Sequence, residues 1–310
     1  MKILVTGGAG FIGSHLVDAL VEKKHRVLVI DNLSTGFEKN INPEAKFFKA
    51  DLTNHKKTEA TVKKEKPEVI FHLAAQIDLR KSVADPLFEG NNNILASMNL
   101  IELACRYKVK KFIFSSTGGA LYGDTRVLPT PETVEPWPVS PYGVGKLSVE
   151  KFLHYANKVH GLKFAALRYP NVYGPRQNPH GEVNVIAIFL HMMMNGKQPV
   201  INGSGKQTRD FIFIDDITSA NLQALEKFDK VGIYNASTGK ETSVNGIFRE
   251  INKYFGKKFK EVHGPAKIGE QKTSCLSYAK IKENFRWTPK TDFKTGIRKT
   301  YEWFQKNNNK

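Results

Sequence analysis

The chain reads as an α/β fold: a doubly wound parallel sheet with a smaller, partly interleaved C-terminal lobe. Three observations carry that reading. Short β-branched runs alternate with helical patterns through the first half, as strands covered by helices on both faces require. A glycine-rich turn joins the first strand to the first helix. After Arg168 the alternation breaks into Gly-, Pro- and Asn-rich sequence, which is the compositional mark of a second lobe.

The predicted strands are Lys2–Thr6, Arg26–Ile30, Lys46–Ala50, Val69–His72, Lys111–Ser115 and Lys163–Arg168. Between them Ile12–Lys23, Pro86–Tyr107 and Tyr142–His160 place apolar residues at helical spacing. Residues 169–207 surround one apolar helix, Val183–Met194. A further strand, Phe211–Ile214, leads into an Asp-Asp helix start, and Val231–Asn235 forms another. Short helices and loops make up the rest. The expected division is therefore 1–168 plus about 209–236 for a nucleotide-binding domain, and about 169–208 plus 237–310 for a substrate-binding lobe, with the ligand in the cleft between them.

At 310 residues and 40% hydrophobic, the chain can bury a sizeable core. No stretch approaches the roughly 20 apolar residues that span a bilayer, so no membrane association is expected. Cys105 and Cys275 stand far apart and suggest no disulfide framework, which favours a cytoplasmic location. No His/Cys cluster has metal-ligand spacing, so no metal is expected. The formal charge of +17 is spread in small groups such as Lys56-Lys57 and Lys63-Lys64 on solvent-facing helices. That pattern fits solvated faces and steering of anionic substrates better than nucleic-acid binding.

The first strand runs straight into Gly7-Gly8-Ala9-Gly10-Phe11-Ile12-Gly13. Gly7 permits the tight turn, Gly10 lets the backbone approach a pyrophosphate, and Gly13 lets helix and strand pack closely. The helix N-terminus then presents N–H groups to the phosphates, as in a Rossmann-type dinucleotide site. An acid at the end of the next strand completes the pattern. Asp31 can accept from the adenosine ribose hydroxyls and repel a 2′-phosphate, which favours NAD over NADP. Asp51-Leu52 follows the third strand and flanks the adenine. Leu73-Ala74-Ala75 follows the fourth, where small residues admit a cofactor close to the backbone.

The chemistry is expected at Ser115-Ser116-Thr117 and at Tyr142-Gly143-Val144-Gly145-Lys146. Tyr142 and Lys146 lie four apart on one helical face. An ammonium beside the phenol favours phenolate, bringing the tyrosine from its usual value near 10 toward the working pH of a general base. Thr117 can hydrogen-bond the same substrate hydroxyl.

Together these motifs resemble the extended short-chain dehydrogenase/reductase family, and within it the UDP-glucose 4-epimerases. The resemblance runs from Met1 to about Phe304, through Val5–His15, Asp31-Asn32-Leu33, His72–Ala75, Leu167–Arg176 and Arg209-Asp210-Phe211. It implies Thr117, Tyr142 and Lys146 as the catalytic group, and NAD contacts from Phe11, Ile12, Asp31, Asn32, Asp51, Leu52, Asn93 and Pro170. Asn171 and Arg209 would hold the UDP moiety of a UDP-sugar. In the implied reaction Tyr142 takes the proton of the sugar 4-hydroxyl while the C4 hydride passes to NAD. The transient 4-keto sugar turns over, and hydride returns to its opposite face. A homodimer through helices near Asn93–Tyr107 and Tyr142–His160 is also implied.

Sister enzymes divide at the residues after the catalytic hydroxyl. The alternatives are a 4,6-dehydratase or a UDP-glucuronate epimerase/decarboxylase; dehydratases resemble Thr-Asp-Glu there and sugar-acid decarboxylases of the family place a Glu nearby, whereas this chain has Gly118-Gly119-Ala120. A non-enzymatic NAD-binding or RNA-binding scaffold is a further alternative, and retention of Thr117, Tyr142 and Lys146 together argues against it. Two departures fall near the C-terminus. Lys267-Ile268-Gly269-Glu270 stands where epimerases resemble Arg-x-Gly-Asp/Glu, so Lys267 keeps the charge but loses the bidentate fork. Ser277-Tyr278-Ala279-Lys280 replaces Asp-x-Ser-Lys. A position shortly beyond Glu270 lies beside the sugar C2 substituent in such epimerases; here it is Ser274, small enough to admit an N-acetyl group.

Overall fold

The computed structural model describes residues 1–179, 184–266 and 271–307. Its first half runs β1 (Lys2–Thr6), α1 (Phe11–Glu22), β2 (Arg26–Asp31), β3 (Lys46–Lys49), α2 (His55–Glu65), β4 (Val69–His72), α3 (Leu79–Ala84), α4 (Pro86–Glu89), a π-turn (Gly90–Leu95), α5 (Ala96–Arg106), β5 (Lys111–Thr117), α6 (Pro141–His160) and β6 (Lys163–Tyr169). The second half continues with β7 (Asn171–Tyr173), α7 (Val185–Met194), β8 (Val200–Asn202), β9 (Thr208–Phe213), α8 (Ile214–Glu226), β10 (Gly232–Asn235), β11 (Glu241–Ser243), α9 (Val244–Lys253), β12 (Val262–Gly264), β13 (Thr273–Ser274), α10 (Ala279–Phe285) and α11 (Phe293–Asn307).

Seven strands form one sheet in the order β10-β6-β5-β4-β1-β2-β3, and every pair is parallel. Parallel pairing needs crossover helices on both faces, so strand residues are buried on both sides. Ile3, Val5, Val27 and Val29 face one core with α1 and α8. Leu4, Leu28 and Ile30 face the other, with α5 and α6. The strand order changes direction between β1 and β4, with β2 and β3 added on one side of β1 and the later strands on the other; such a switch point opens a crevice at the carboxyl ends of the strands.

The remaining strands make two small sheets: β11-β9-β13 with β7 added against β9, and β12 paired with β8. Here the structure differs from the expected division. Residues 209–213 run as β9 in the four-stranded sheet, and the chain returns to the large sheet only with α8 and β10. Phe211–Ile214 is apolar enough to suit either layer, and only pairing with β7 decides between them. The predicted helix Pro86–Tyr107 also divides, into α4, the π-turn and α5. The C-terminal remainder includes the 15-residue α11, longer than the short helices expected. No helix among the described residues is long and apolar enough to cross a membrane.

Candidate active site

The glycine turn lies over the switch point. Gly7 has φ +73, and a Cβ there would stand 2.7 Å from the Ala74 backbone nitrogen, so both conformation and space require glycine. A Cβ on Gly13 would meet the Gly7 carbonyl oxygen at 2.0 Å, which is why α1 can enter so close to the turn. Gly10 is the extended N-cap of α1, and no side chain accepts from the first turn formed by Phe11, Ile12 and Gly13. This cradle, with backbone donors at the positive end of a helix, fits a dinucleotide pyrophosphate.

Asp31 ends β2 with its carboxylate already oriented. Oδ2 accepts from Ala9 N–H at 3.0 Å and Oδ1 from Leu33 N–H at 2.8 Å. It therefore braces the glycine turn. Asn32 Nδ2 donates to Asp51 Oδ2 at 2.7 Å, and Thr53 donates to Asp51 Oδ1. Burial pushes the Asp51 carboxyl up, but the hydrogen bonds from Thr53 and Asn32 prevail and hold it below the usual carboxylate value. Leu52 packs beneath them in the core beside Ile30 and Val62.

Across the crevice Leu73, Ala74 and Ala75 follow β4 and are half-buried. A hydrogen-bond chain runs behind them. Ser97 Oγ donates to Asn93 O at 2.6 Å, and so accepts from His72 Nε2 at 2.8 Å; His72 Nδ1 then accepts from Thr6 Oγ1 at 2.7 Å. Burial, helped by the Lys146 charge, lowers His72 to about 3, so the ring is neutral with its proton on Nε2. The π-turn aims Asn93 at Gln76: Oδ1 accepts from Gln76 N–H at 2.8 Å, and Nδ2 donates to Gln76 O at 2.7 Å and to Glu89. Its amide nitrogen is thus occupied by the protein. Asn93 acts first by fixing the loop that lines the crevice, with one lone pair of Oδ1 left for a ligand.

Thr117 ends β5, half-buried, and its Oγ1 accepts from Ala120 N–H at 3.4 Å. Ser140 caps α6 by accepting from Gly143 N–H at 3.2 Å, and Pro141 opens the first turn. Gly143 packs so closely on the Ala120 carbonyl that a Cβ would lie 2.3 Å away. The start of α6 is therefore held against the turn that follows Thr117. Tyr142 is half-buried, and one helical turn on, Lys146 is 3% exposed, with Nζ donating to Ser115 O at 2.8 Å. The Lys146 nitrogen stands 5.8 Å from the Tyr142 ring centroid and 4.8 Å from that of Phe114. Burial lowers Lys146 to about 8, with Glu89 and Glu150 opposing the fall.

Four buried residues behind this helix were not singled out from the sequence. Glu150, one turn beyond Lys146, accepts from Arg168 Nε at 2.9 Å, Arg168 Nη2 at 2.6 Å and Ser116 Oγ at 2.6 Å. Arg168 also donates to the Tyr122 hydroxyl, which donates to Asn235 Oδ1 at 3.1 Å. Glu150 and Arg168 are 0% and 3% exposed, so a bidentate ion pair clamps α6 to β5 and β6. An arginine inside the apolar run Phe164–Tyr169 is the signal that could have revealed it.

Beyond β6 lies Pro170, then Asn171 at the start of β7, with Nδ2 donating to Asp210 O at 3.4 Å. Arg209 on β9 donates to Thr208 O at 2.7 Å and Gln271 O at 2.5 Å. Ser274 on β13 pairs with Arg209 and is 6% exposed. Asn171, Arg209 and Ser274 thus share the four-stranded sheet. Asp210 organises it from beneath, accepting from Thr238 N–H and Oγ1, Gly239 N–H and Leu276 N–H. Burial raises Asp210 to about 6 against those hydrogen bonds. Gln271 Nε2 donates to Gly123 O at 2.7 Å and ties this lobe to the loop after Thr117. Lys267 and Glu270 lie outside the described residues.

With this geometry in hand, similarity to known proteins becomes informative. A chain from Methanocaldococcus jannaschii named "Putative UDP-glucose 4-epimerase" is 42% identical over 306 residues, covering 99% of each chain. The crystal structure of the Thermotoga maritima UDP-glucose 4-epimerase with UDP-glucose superposes with a TM-score of 0.96 at 44% identity, covering 99% of each. A UDP-N-acetylglucosamine 4-epimerase from Methanobrevibacter ruminantium, in complex with UDP-N-acetylmuramic acid, superposes at 0.93 with 36% identity, covering 99% of this chain and 98% of the other. Residues 3–237 match the family described as NAD dependent epimerase/dehydratase, spanning the glycine cradle, Tyr142 and Lys146; the chain belongs to that family.

Proposed function

We propose that this protein is an NAD-dependent 4-epimerase of UDP-hexoses. The observation that carries the reading is Lys146, buried one helical turn from Tyr142 and held on Ser115 O, at the carboxyl edge of β5 beside a turn that bears no carboxylate. Retention of a simple Tyr/Lys/Thr set suits reversible proton and hydride removal at one carbon. Elimination or decarboxylation needs a further acid or base.

NAD, when bound, takes up and returns the C4 hydride. The cradle of Gly7, Gly10, Phe11, Ile12 and Gly13 would hold its pyrophosphate, Asp31 its ribose, and Asn32, Asp51 and Leu52 the adenine end. Leu73–Ala75, Asn93, Pro170 and Lys146 would border the nicotinamide half. Tyr142 removes the 4-hydroxyl proton with its phenolate stabilised by the Lys146 ammonium, and Thr117 orients the same hydroxyl. Asn171 and Arg209 hold the uridine diphosphate, leaving the hexose loosely gripped so that it can present either face. The large sheet serves the cofactor and the small sheets serve the substrate.

Exposed apolar residues on the outer faces of the helices support assembly of two copies as a homodimer. Leu95 and Val144 are 50% and 46% exposed, and Tyr155 and Val159 52% and 61%. Two free thiols, Cys105 and Cys275, suit a cytoplasmic enzyme. The decisive experiment supplies purified protein separately with UDP-glucose and UDP-galactose. Convergence on one equilibrium mixture from both ends, with no net NADH, is expected. A 4-keto-6-deoxy product or no interconversion rejects the reading. Light scattering in solution should give twice the chain mass, and a monomer rejects the assembly.

A further inference from the structure

Where α6 meets α4 and the π-turn there is a carboxylate that the reaction scheme does not use. Glu89 ends α4 and is 1% exposed. Its Oε2 accepts from Gln76 Nε2 at 2.9 Å and its Oε1 from Asn93 Nδ2. Gly145, the residue before Lys146, brings α6 directly against it: a Cβ at 145 would lie 3.2 Å from Glu89 Oε1. Hydrogen bonds from two neutral amides offset only part of the cost of burying a carboxylate, which runs to several kcal/mol. Burial raises the Glu89 carboxyl above its usual value, opposed by the hydrogen bonds from Asn93 and Gln76 and by the charge of Lys146; among the described residues Glu89 forms no ion pair of its own with a surface cation.

Lys146 has the complementary need, being buried with one hydrogen bond to Ser115 O shown. The groups that act on its charge come from every element around it. His72 on β4 is neutral. Glu150, on its own helix, is engaged by Arg168 and Ser116. The Phe114 ring supplies a face and no formal charge, and Tyr142 is the group the ammonium serves. Glu89 is the remaining carboxylate.

We propose that Glu89 is a positioning residue for Lys146: seated against Gly145 and held by Gln76 and Asn93, it is the counter-charge that keeps the buried ammonium protonated beside Tyr142. The proposal rests on Lys146 serving Tyr142 as described above. A neutral lysine would leave the phenolate without its cation. The same contacts link this charge to the Gln76 loop, so one carboxylate sets both the wall of the crevice and the charge at its centre.

The test is the titration of Lys146, followed as its Cε resonance in 13C-lysine-labelled protein and assigned by its loss in Lys146→Met. The wild-type midpoint should lie near 8. In Glu89→Gln, removal of a negative charge should lower it by about one unit, and Glu89→Asp should return it toward the wild-type value. The alkaline limb of kcat should move down with it while KM for UDP-glucose holds. An unshifted midpoint in folded Glu89→Gln overturns the proposal. If that variant does not fold, Glu89→Ala removes the same charge without placing an amide against Gly145. A downward shift there supports the proposal and none overturns it. Absence of interconversion in wild type would reject the epimerase reading, and the titration would still decide this one.

Discussion

The two halves of the molecule hold their sites in opposite ways. On the seven-stranded sheet, functional groups stand at the ends of strands buried on both faces. Their positions follow from the ladder itself: Thr6, Asp31 and Thr117 end β1, β2 and β5. In the C-terminal lobe the strands β7, β11 and β13 are only two or three residues long, too short to fix anything by pairing alone. There the order comes from single buried side chains such as Asp210, which gathers Thr238, Gly239 and Leu276. On the proposed function, the large sheet would carry the cofactor cradle and the acid–base pair. The lobe is an assembly of short strands and loops, which on the same reading would set which sugar is accepted.

That contrast can be broken in several places. The largest effect should come from the platform's chemistry. Tyr142→Phe is expected to lower kcat by roughly 10²–10⁴-fold, the usual contribution of a general base, while melting temperature and bound NAD stay as in wild type. Retention of more than about a tenth of the rate would remove Tyr142 from the role of base.

Next comes the clamp beneath it. Arg168→Met leaves Glu150 charged and unpaired in the core and should cost about 3–5 kcal/mol in urea unfolding. Arg249→Met breaks the exposed pair with Glu261 in the lobe and should leave the midpoint unmoved. Equal effects would erase the distinction between the halves.

The lobe should instead reveal itself through pH. Asp210 is raised from 3.8 to about 6, so the fold favours its neutral form. Its contribution is fully present below the unfolded value and lost as pH rises through the folded one. Relative to Asp210→Asn, wild type should therefore lose roughly 3 kcal/mol of stability between about pH 3 and 7. A pH-independent difference between the two proteins would contradict this.

Cofactor choice is a smaller matter. Asp31→Ala should weaken NAD by about 10- to 100-fold, the worth of a charge-assisted hydrogen bond, and relax rejection of NADP. Equal affinity of wild type for both cofactors would sink the assignment.

The smallest expected effect lies at the sugar. Wild type should turn over UDP-N-acetylglucosamine as well as UDP-glucose, and Ser274→Tyr should cost the N-acetyl substrate about tenfold while sparing the plain hexose. Wild-type activity confined to the plain hexoses would reject the steric argument.

Much of the platform was legible in advance because its signals are local. A parallel strand covered on both faces must be apolar throughout, so residues 27–30 and 69–71 stand out as continuous runs within the strands read from the sequence. Gly7 and Gly13 announce a turn that tolerates no side chain, and Tyr142 and Lys146 declare one helical face by their spacing. The lobe gave weaker signals. β9 is apolar enough for either sheet, and the two-residue β13 exists only because Arg209 and Thr208 pair with it.

The amino-acid sequence by itself determined the alternation of strands and helices as far as β6, the glycine turn, the acid at the end of β2 and the Tyr142/Lys146 spacing. Each depends on residues within a few positions of one another, where backbone sterics and periodicity act directly. Only the tertiary structure decided which charges face Lys146. Glu89 lies 57 positions before it in sequence, Ser115 is on another strand, and Glu150 is taken by Arg168 from a third element. A charge's environment is a sum over neighbours in space, and chain folding alone chooses those neighbours.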